Sequence, residues 1–399
     1  MTVQPAIASL RAEGGIRPRA LDLALGAGVV AFAALIGIYA TGLAHGLIPA
    51  QNALFDADSG RVLADYTGVA ENYYRLKVHP WQGWLFVVYQ VFLAKVLPAP
   101  VAVPLISVAI GMASAGLLYA VLRRLAIGPW LAASHTLLFL SCAGFVFWSS
   151  VPEAHMAGGA ATLMAVFLLA DERPSRWRSI IALAVSFSMV VTDAAVWFFR
   201  QIEFAALRRG WRDFVRVHRV KLPELIRQGA WSVAVIVVVW APQWLFLHKR
   251  IGVPFNFLEE RHYVDVGSGG SSVHVLGILP PDHPAGLVLS LAAAALLLAA
   301  LRVLPRRLWF IPAFPLFGVV LHAVYGSDSA FLFAPNYLPL FSISLALVGA
   351  KLLPKWSAPA ALAAAAVLLT INLGAYRDHL DTLKAAGQMK TYQAAVHYE

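Results

Sequence analysis

Long apolar runs recur along almost the whole chain, and the first of them extends from Ala20 to Leu43. A run of about 20 apolar residues crosses the roughly 30 Å hydrocarbon core of a membrane as a helix, which satisfies its own backbone polar groups. The 399-residue chain is 60% hydrophobic and 13% charged, whereas a soluble domain carries about 25% charged residues. The sequence therefore predicts an all-α, polytopic transmembrane protein, with residues 1–399 forming one membrane domain of about ten helical membrane segments.

Basic residues are concentrated in short stretches between the apolar runs, as in Arg123-Arg124. The net charge of +10 is therefore typical of positive-inside topology and does not indicate a nucleic-acid partner. Localisation in the inner (plasma) membrane of a bacterium is expected. The predicted cytoplasmic segments are the tail 1–19 and the amphipathic segment 200–227, and the predicted external segments are 44–80, 248–284 and the tail 376–399.

Two apolar stretches do not read as ordinary membrane spans. If 81–97 crossed the bilayer, Arg123-Arg124 would be left outside, so this segment is predicted to be an interfacial helix. The stretch 179–207 has basic flanks on both sides and predicts two short helices that meet near Asp193. Asp193 is expected to cap the second of these helices, and a buried functional acid is the alternative.

The long first external loop carries most of the charge that the apolar runs lack. Clustered acids and bases are costly in so apolar a protein unless they contact water or perform chemistry. Two carboxylates two residues apart, in Asp56-Ala-Asp58, can bind a divalent cation such as Mg²⁺ or Mn²⁺, or one of them can act as a base. A solvated loop with ordinary ion pairs is the alternative. The other charged residues of this loop are Arg61, Asp65, Glu71, Arg75, Lys77 and His79.

The order of features in residues 20–170 resembles the GT-C class of membrane glycosyltransferases, which includes protein mannosyltransferases and aminoarabinose lipid transferases. The parallels are Asp58 after the first helix, the stretch Lys77-Val78-His79-Pro80, the aromatic helix WQGWLFVVYQVF, and the helix that ends Leu-Arg-Arg. The stretch FLFAPNYLP (331–339) departs from the external Arg-Tyr of that family. The resemblance implies a GT-C-like fold and transfer of a sugar from a polyprenyl-phosphate donor to a hydroxyl of a glycan, lipid or protein on the external face.

The resemblance also assigns roles to individual residues. It makes Asp58 the catalytic base, with Asp56 or Asp65 as a helper or metal ligand. It makes Glu153 a second carboxylate at the same cavity, although Pro152-Glu153 is also typical of a helix N-terminus. His155 is expected to be structural, and no cofactor is required unless Asp56 and Asp58 hold a metal. The residues predicted to contact the donor phosphate or substrate are Arg61, Arg75, Lys77, His79, Arg261 and His262; for the last two, a plain loop is the alternative.

Two other function classes stay open at the level of sequence. A transporter or flippase of a lipid-linked saccharide would need charged residues within several helices and an internal repeat, and neither pattern is evident. A non-catalytic membrane subunit of glycan assembly would use the external loop for binding alone. The single cysteine, Cys142, lies in an apolar run and predicts neither an internal disulfide nor a cysteine metal site.

Overall fold

In this computed structural model the chain is described over residues 20–50, 53–55, 57–67, 79–247, 271–324 and 329–392. Its regular structure is helical apart from two three-residue strands in the described residues, which confirms the predicted all-α class. The helices and strands in chain order are α1 Ala20–Leu43, β1 Leu47–Pro49, α2 Ser59–Thr67, α3 Gly83–Val87, α4 Ala99–Arg124, α5 Pro129–Ser141, α6 Ala143–Val146, α7 Ala154–Leu169, α8 Arg176–Met189, α9 Ala195–Gln201, α10 Phe204–Arg209, α11 Trp211–Leu247, α12 Gly286–Val303, α13 Phe310–Val324, α14 Ala334–Leu352, α15 Ser357–Ala385 and β2 Met389–Thr391.

Six helices of the described chain are long and apolar enough to cross a membrane. They are α1, α4, α11, α12, α14 with the 3-10 turn that precedes it, and α15. Three further apolar helical segments are shorter, at 10–17 residues: Gly83–Lys95, α7 and α13. The six long apolar helices are therefore those of a membrane protein. The total of about ten membrane segments stays a prediction.

The segment predicted to lie at the interface is a short and irregular helix. It begins as α3, continues as a π-helical turn over Val88–Phe92 and ends as a 3-10 turn over Leu93–Lys95. Thirteen residues of helix are about 20 Å long, which is less than the hydrocarbon core. Its placement in the interface stays a prediction.

The apolar stretch from Trp130 to Trp148 does not form one helix, because α5 ends at Ser141 and α6 begins at Ala143. Cys142 has an extended backbone, with ψ 150°. The amides of Ala143 and Gly144 donate to the Ile278 and Gly277 carbonyls at 3.2 and 2.8 Å, and the Asn372 side chain donates to the Ser141 carbonyl at 2.8 Å. The helix breaks because a distant loop segment takes over its backbone hydrogen bonds, which hydropathy does not reveal.

The amphipathic segment predicted over 200–227 is not separated from the apolar stretch that follows it. Instead α11 runs for 37 residues through Pro223 without ending. It begins after Gly210, whose φ of +129° ends α10. The charged first half of α11 carries two i,i+3 pairs, Arg216–Asp213 and Arg227–Glu224, and Arg209 at the end of α10 pairs with Asp213 across the junction.

Ion pairs collect at one end of the bundle, which we call the arginine end. Arg123 at the end of α4 pairs with Asp22 at the start of α1, at 2.8 Å. Asp171, just beyond α7, pairs with both Arg124 and Arg178, and Glu172 pairs with Arg307. The convergence of these arginines agrees with the expectation of one cytoplasmic end, and the orientation itself stays a prediction.

The opposite end, which we call the loop end, carries the small sheet. β1 pairs with β2 in antiparallel register, Leu47 opposite Thr391 and Pro49 opposite Met389. The segment 376–399 was predicted to be a polar tail, but α15 continues to Ala385 and β2 follows it. The buried faces of Tyr376 and Leu380 keep this region helical, since both side chains lie in the main hydrophobic core. The strand that follows α15 is thus joined to the strand that follows α1.

Candidate active site at the loop end

Glu153 joins the start of α7 to the start of α2. Its Oε1 accepts a hydrogen bond from the Ala154 amide at 2.7 Å, and its Oε2 accepts one from the Asp58 amide at 3.0 Å. Glu153 is therefore the N-cap of α7, as the sequence alternative proposed. The same carboxylate holds the backbone of Asp58, 95 residues away in the chain. This hydrogen bond links Asp58 and Glu153, the two acids that the resemblance assigns to one cavity.

The Asp58 side chain lies at the first turn of α2, beside Arg61. The Asp58 carbonyl accepts the first helical hydrogen bond, from Val62 at 2.9 Å. Arg61 Nη1 lies 3.4 Å from Asp58 Oδ2, and the two side chains are 29% and 24% exposed respectively. A carboxylate that keeps contact with water can accept a proton, while the neighbouring guanidinium offers donors to an anion.

Asp65, expected as a helper or metal ligand, lies away from this position. It follows Asp58 by seven residues on α2, which is about 10 Å along the helix axis. Asp65 is 1% exposed, and its backbone carbonyl accepts a hydrogen bond from Gln90 at 2.9 Å. Metal-ligand distances to oxygen are about 2.0–2.6 Å, so Asp65 and Asp58 do not share one ion in this arrangement.

His79 lies where the loop meets the end of α8. Its Nδ1 donates to the carbonyl of Met189, and the next residues follow the same path, since the Trp81 amide donates to the Ser188 carbonyl at 3.2 Å. The ring of His79 stands edge-on to that of His155, with centroids 6.4 Å apart. His79 therefore lies near the N-terminal end of α7, the end that Glu153 caps.

His155 continues this line of polar groups into the bundle. Its Nδ1 accepts a hydrogen bond from the Asn336 amide at 3.2 Å, and its ring packs on Phe333 with centroids 4.5 Å apart. These contacts join the first turn of α7 to the start of α14, since Asn336 lies in its first turn and Phe333 directly precedes it. The structural role of His155 stays a prediction. His155 is 7% exposed.

Asp193 lies fully buried in the middle of the bundle. The break between α8 and α9 is where the sequence predicted it, at a 3-10 turn over Val191–Ala194. The capping role predicted for Asp193 was wrong, because the cap position of α9 is Ala194 and no side chain caps that helix. The Thr162 hydroxyl lies beside the carboxyl group, but neither oxygen makes a well-formed hydrogen bond to a described residue.

Two glycines of α7, Gly158 and Gly159, allow α14 to pack closely against α7 beside Asp193. A Cβ on Gly159 would lie 2.2 Å from the Pro335 carbonyl oxygen. A Cβ on Gly158 would lie 2.4 Å from Asn336 Oδ1 and 3.1 Å from Asp193 Oδ2. Helix backbones approach this closely only where a side chain is absent. We call Asp193, Thr162, Asn336 and Tyr337 the interior polar cluster; all four are 0% exposed.

The interior polar cluster was missed at the level of sequence, apart from Asp193. Asn336 and Tyr337 belong to the stretch 331–339 that departs from the GT-C pattern, and only the two glycines hint that α7 makes a close helix contact. Among the predicted site residues, Asp58, Arg61, His79 and Glu153 are brought to the loop end. The predictions for Asp56, Arg75, Lys77, Arg261 and His262 lie outside the described residues.

The predicted metal site can be examined only in part, because Asp56 is not described. Within the described ranges, no three His, Cys, Asp or Glu side chains converge to hold a metal ion. A two-carboxylate site at Asp56 and Asp58 therefore stays a prediction.

No protein-family model, no curated protein and no solved structure matches this chain. The likeness to GT-C glycosyltransferases thus rests on the residues quoted from the sequence. Function has to be argued from the chemistry of the site.

Proposed function

We propose that the protein is an integral-membrane glycosyltransferase of GT-C type. It would transfer a sugar from a polyprenyl-phosphate donor to an acceptor hydroxyl at the loop end, on the external side of the membrane. The observation that carries the proposal is Asp58, a partly exposed carboxylate beside Arg61 whose backbone is fixed by Glu153. A fixed, water-accessible acid next to a cation is the pairing that sugar transfer from a phosphate requires.

The proposed step uses Asp58 as the general base. The acceptor oxygen attacks the anomeric carbon while its proton passes to a carboxylate oxygen of Asp58. The bond between the anomeric carbon and the phosphate oxygen breaks, and the phosphate leaves with the electron pair. Arg61 would stabilise the charge on that phosphate through its donors.

Glu153 has a positioning role in this proposal. Both of its oxygens accept backbone amides, so it fixes where α2 begins and leaves the proton transfer to Asp58. A divalent ion is not required by this step, and Asp56 with Asp58 would hold one if transfer depends on it. Loss of activity with a chelator would then accompany loss of activity in Asp56→Asn.

The test is transfer from a polyprenyl-phosphate sugar pool in membranes that contain the full chain, with extracted envelope glycans analysed by mass. Asp58→Asn should insert normally and lower transfer about 10²–10⁴-fold, because the amide keeps the shape but not the basicity. Arg61→Gln should raise the donor concentration needed for half-maximal transfer. Asp378→Asn, an exposed acid on α15, is the matched control and should retain wild-type transfer.

A second candidate function has one observation in its favour. The interior polar cluster places an acid and two polar side chains in the middle of the bundle, which is the usual position of substrate or proton sites in transporters. Transport of a lipid-linked saccharide needs two compartments, whereas transfer does not. Sugar transfer by the purified protein in detergent would support the transferase. Movement of lipid-linked saccharide across vesicles without a new glycosidic bond would support the transporter, and binding without either would support a non-catalytic subunit.

A further inference from the structure

A cleft of about 910 Å³ opens at the arginine end, beside α12. Its polar wall consists of Arg208 from α10, Arg302 from α12 and Arg306 from the turn that follows. Its apolar wall is the face of α12 between Ala295 and Leu301. The cleft is therefore basic at one end and apolar along its length.

The three arginines of this cleft have no acidic partner in the described part of the chain. Neighbouring arginines do: Arg307 pairs with Glu172, and Arg209 pairs with Asp213. No aspartate or glutamate lines the cleft. Three guanidinium groups with unused donors are suited to a phosphate group, which their planar geometry binds through paired hydrogen bonds.

The apolar wall extends from these arginines toward the middle of the membrane. From Ala295 to Arg302 the helix rises about 10 Å. Two alanines, Ala295 and Ala299, form a shallow groove beside Leu298, whose side chain is 58% exposed. A free anion has no apolar surface to bury in this groove, whereas an alkyl chain would bury apolar surface in it.

Trp309 closes the basic end of the cleft. Its indole donates to the Leu304 carbonyl at 3.1 Å, and its ring packs on Phe204 with centroids 5.3 Å apart. A tryptophan fixed in this way is typical of the level of lipid headgroups. The cleft thus has the polarity profile of the boundary between headgroup and hydrocarbon.

This cleft is separate from the candidate active site. The Arg307–Glu172 pair places the turn beside the C-terminal end of α7, whereas Glu153 caps the N-terminal end. The 16 residues of α7 separate the two by about 24 Å. What binds in the cleft is therefore independent of whether Asp58 is a catalytic base.

We propose that the cleft formed by Arg208, Arg302, Arg306 and the Ala295–Leu301 face of α12 binds an anionic membrane lipid, with its phosphate on the arginines and an acyl chain along the helix. The charge complementarity selects a lipid that carries net negative charge. The site would hold such a lipid on the opposite membrane leaflet from the candidate active site.

The test uses the purified full chain, stripped of lipid in detergent and titrated with phosphatidylglycerol in mixed micelles. Bound lipid is counted by native mass spectrometry. The wild type should retain phosphatidylglycerol in preference to phosphatidylcholine, and 10-fold excess inorganic phosphate should not displace it. The combined variant Arg208→Gln, Arg302→Gln, Arg306→Gln should weaken binding by on the order of tenfold or more.

A matched control variant carries the same loss of charge elsewhere. Arg173, Arg212 and Arg219 are exposed and lie outside the cleft; their replacement by glutamine should leave binding within about twofold. Leu298→Trp should fill the groove and weaken lipid binding while all three arginines remain, which keeps the test informative if the charge variant does not fold. Equal loss in the cleft and control variants, equal binding of phosphatidylcholine, or displacement by inorganic phosphate would overturn the proposal.

Discussion

Asp58 and Asp193 are carboxylic acids in the same apolar bundle, but they differ in solvent exposure and in the groups that lie beside them. Asp58 is 24% exposed and lies beside Arg61, so its carboxyl group contacts both solvent and a cation. Asp193 is 0% exposed, and neither of its oxygens makes a well-formed hydrogen bond in the described part of the chain. A buried charge without a partner is costly, so such a group is expected to persist in its neutral form. The comparison indicates that the acid at the loop end is suited to proton transfer and the interior acid to helix packing.

Removing Glu153 should give the largest change in stability, because this one side chain accepts hydrogen bonds at the starts of both α2 and α7. In Glu153→Ala the amides of Asp58 and Ala154 lose their acceptors, and the free energy of unfolding should fall by about 2–4 kcal/mol. Glu203→Ala is the matched control, since its carboxylate pairs with Lys221 at the surface and should cost less than about 1 kcal/mol. Thermal unfolding of the purified chain in detergent measures both variants. Equal loss in the two would show that Glu153 does not anchor α2.

A smaller effect of opposite sign is expected at Asp193. Asp193→Asn should leave the unfolding midpoint unchanged or raise it by a few degrees, because an amide is neutral and can donate to an acceptor such as Asn336 Oδ1. Asp171→Asn, which removes the acid shared by Arg124 and Arg178, should lower it. A sharp drop for Asp193→Asn would mean that the interior acid is charged and paired in the folded protein.

The apolar parts of the long helices could be predicted from the sequence because hydropathy marks them. The first helix ends at Leu43, as predicted, and the break near Asp193 was also found. The interruption at Cys142 could not be predicted, since it depends on hydrogen bonds to Gly277 and Ile278. Local pattern carries no information about such distant backbone partners.

The candidate site was predictable only in part for the same reason. Asp58 and Glu153 could be singled out as acids in apolar surroundings, but the hydrogen bond that joins them spans 95 residues. The interior polar cluster joins α7, the turn at Asp193 and α14, and it needs the close approach at Gly158 and Gly159. Sequence reasoning gave Asp193 a capping role because Thr-Asp before a helix is typical of caps.

The smallest expected effect concerns pH at the loop end. The hydrogen bond from His379 holds the pKa of the Asp282 carboxyl below its usual range. A lowered folded pKa stabilises the protein above the unfolded value of about 3.9 and is lost as pH falls through the folded value. The unfolding midpoint should therefore fall between pH 5 and pH 3 by roughly 1–2 °C more in the wild type than in Asp282→Asn. Parallel curves for the two proteins would contradict this contribution.

The most direct test of the contrast between the two acids is sugar transfer by Asp58→Asn and Asp193→Asn, assayed side by side in membranes at matched protein levels. Asp58→Asn should lose about 10²–10⁴-fold in transfer, since the base is gone, whereas Asp193→Asn should stay within about twofold of the wild type. Wild-type transfer by Asp58→Asn, or an equal loss in both variants, would contradict the assignment of Asp58 as the base.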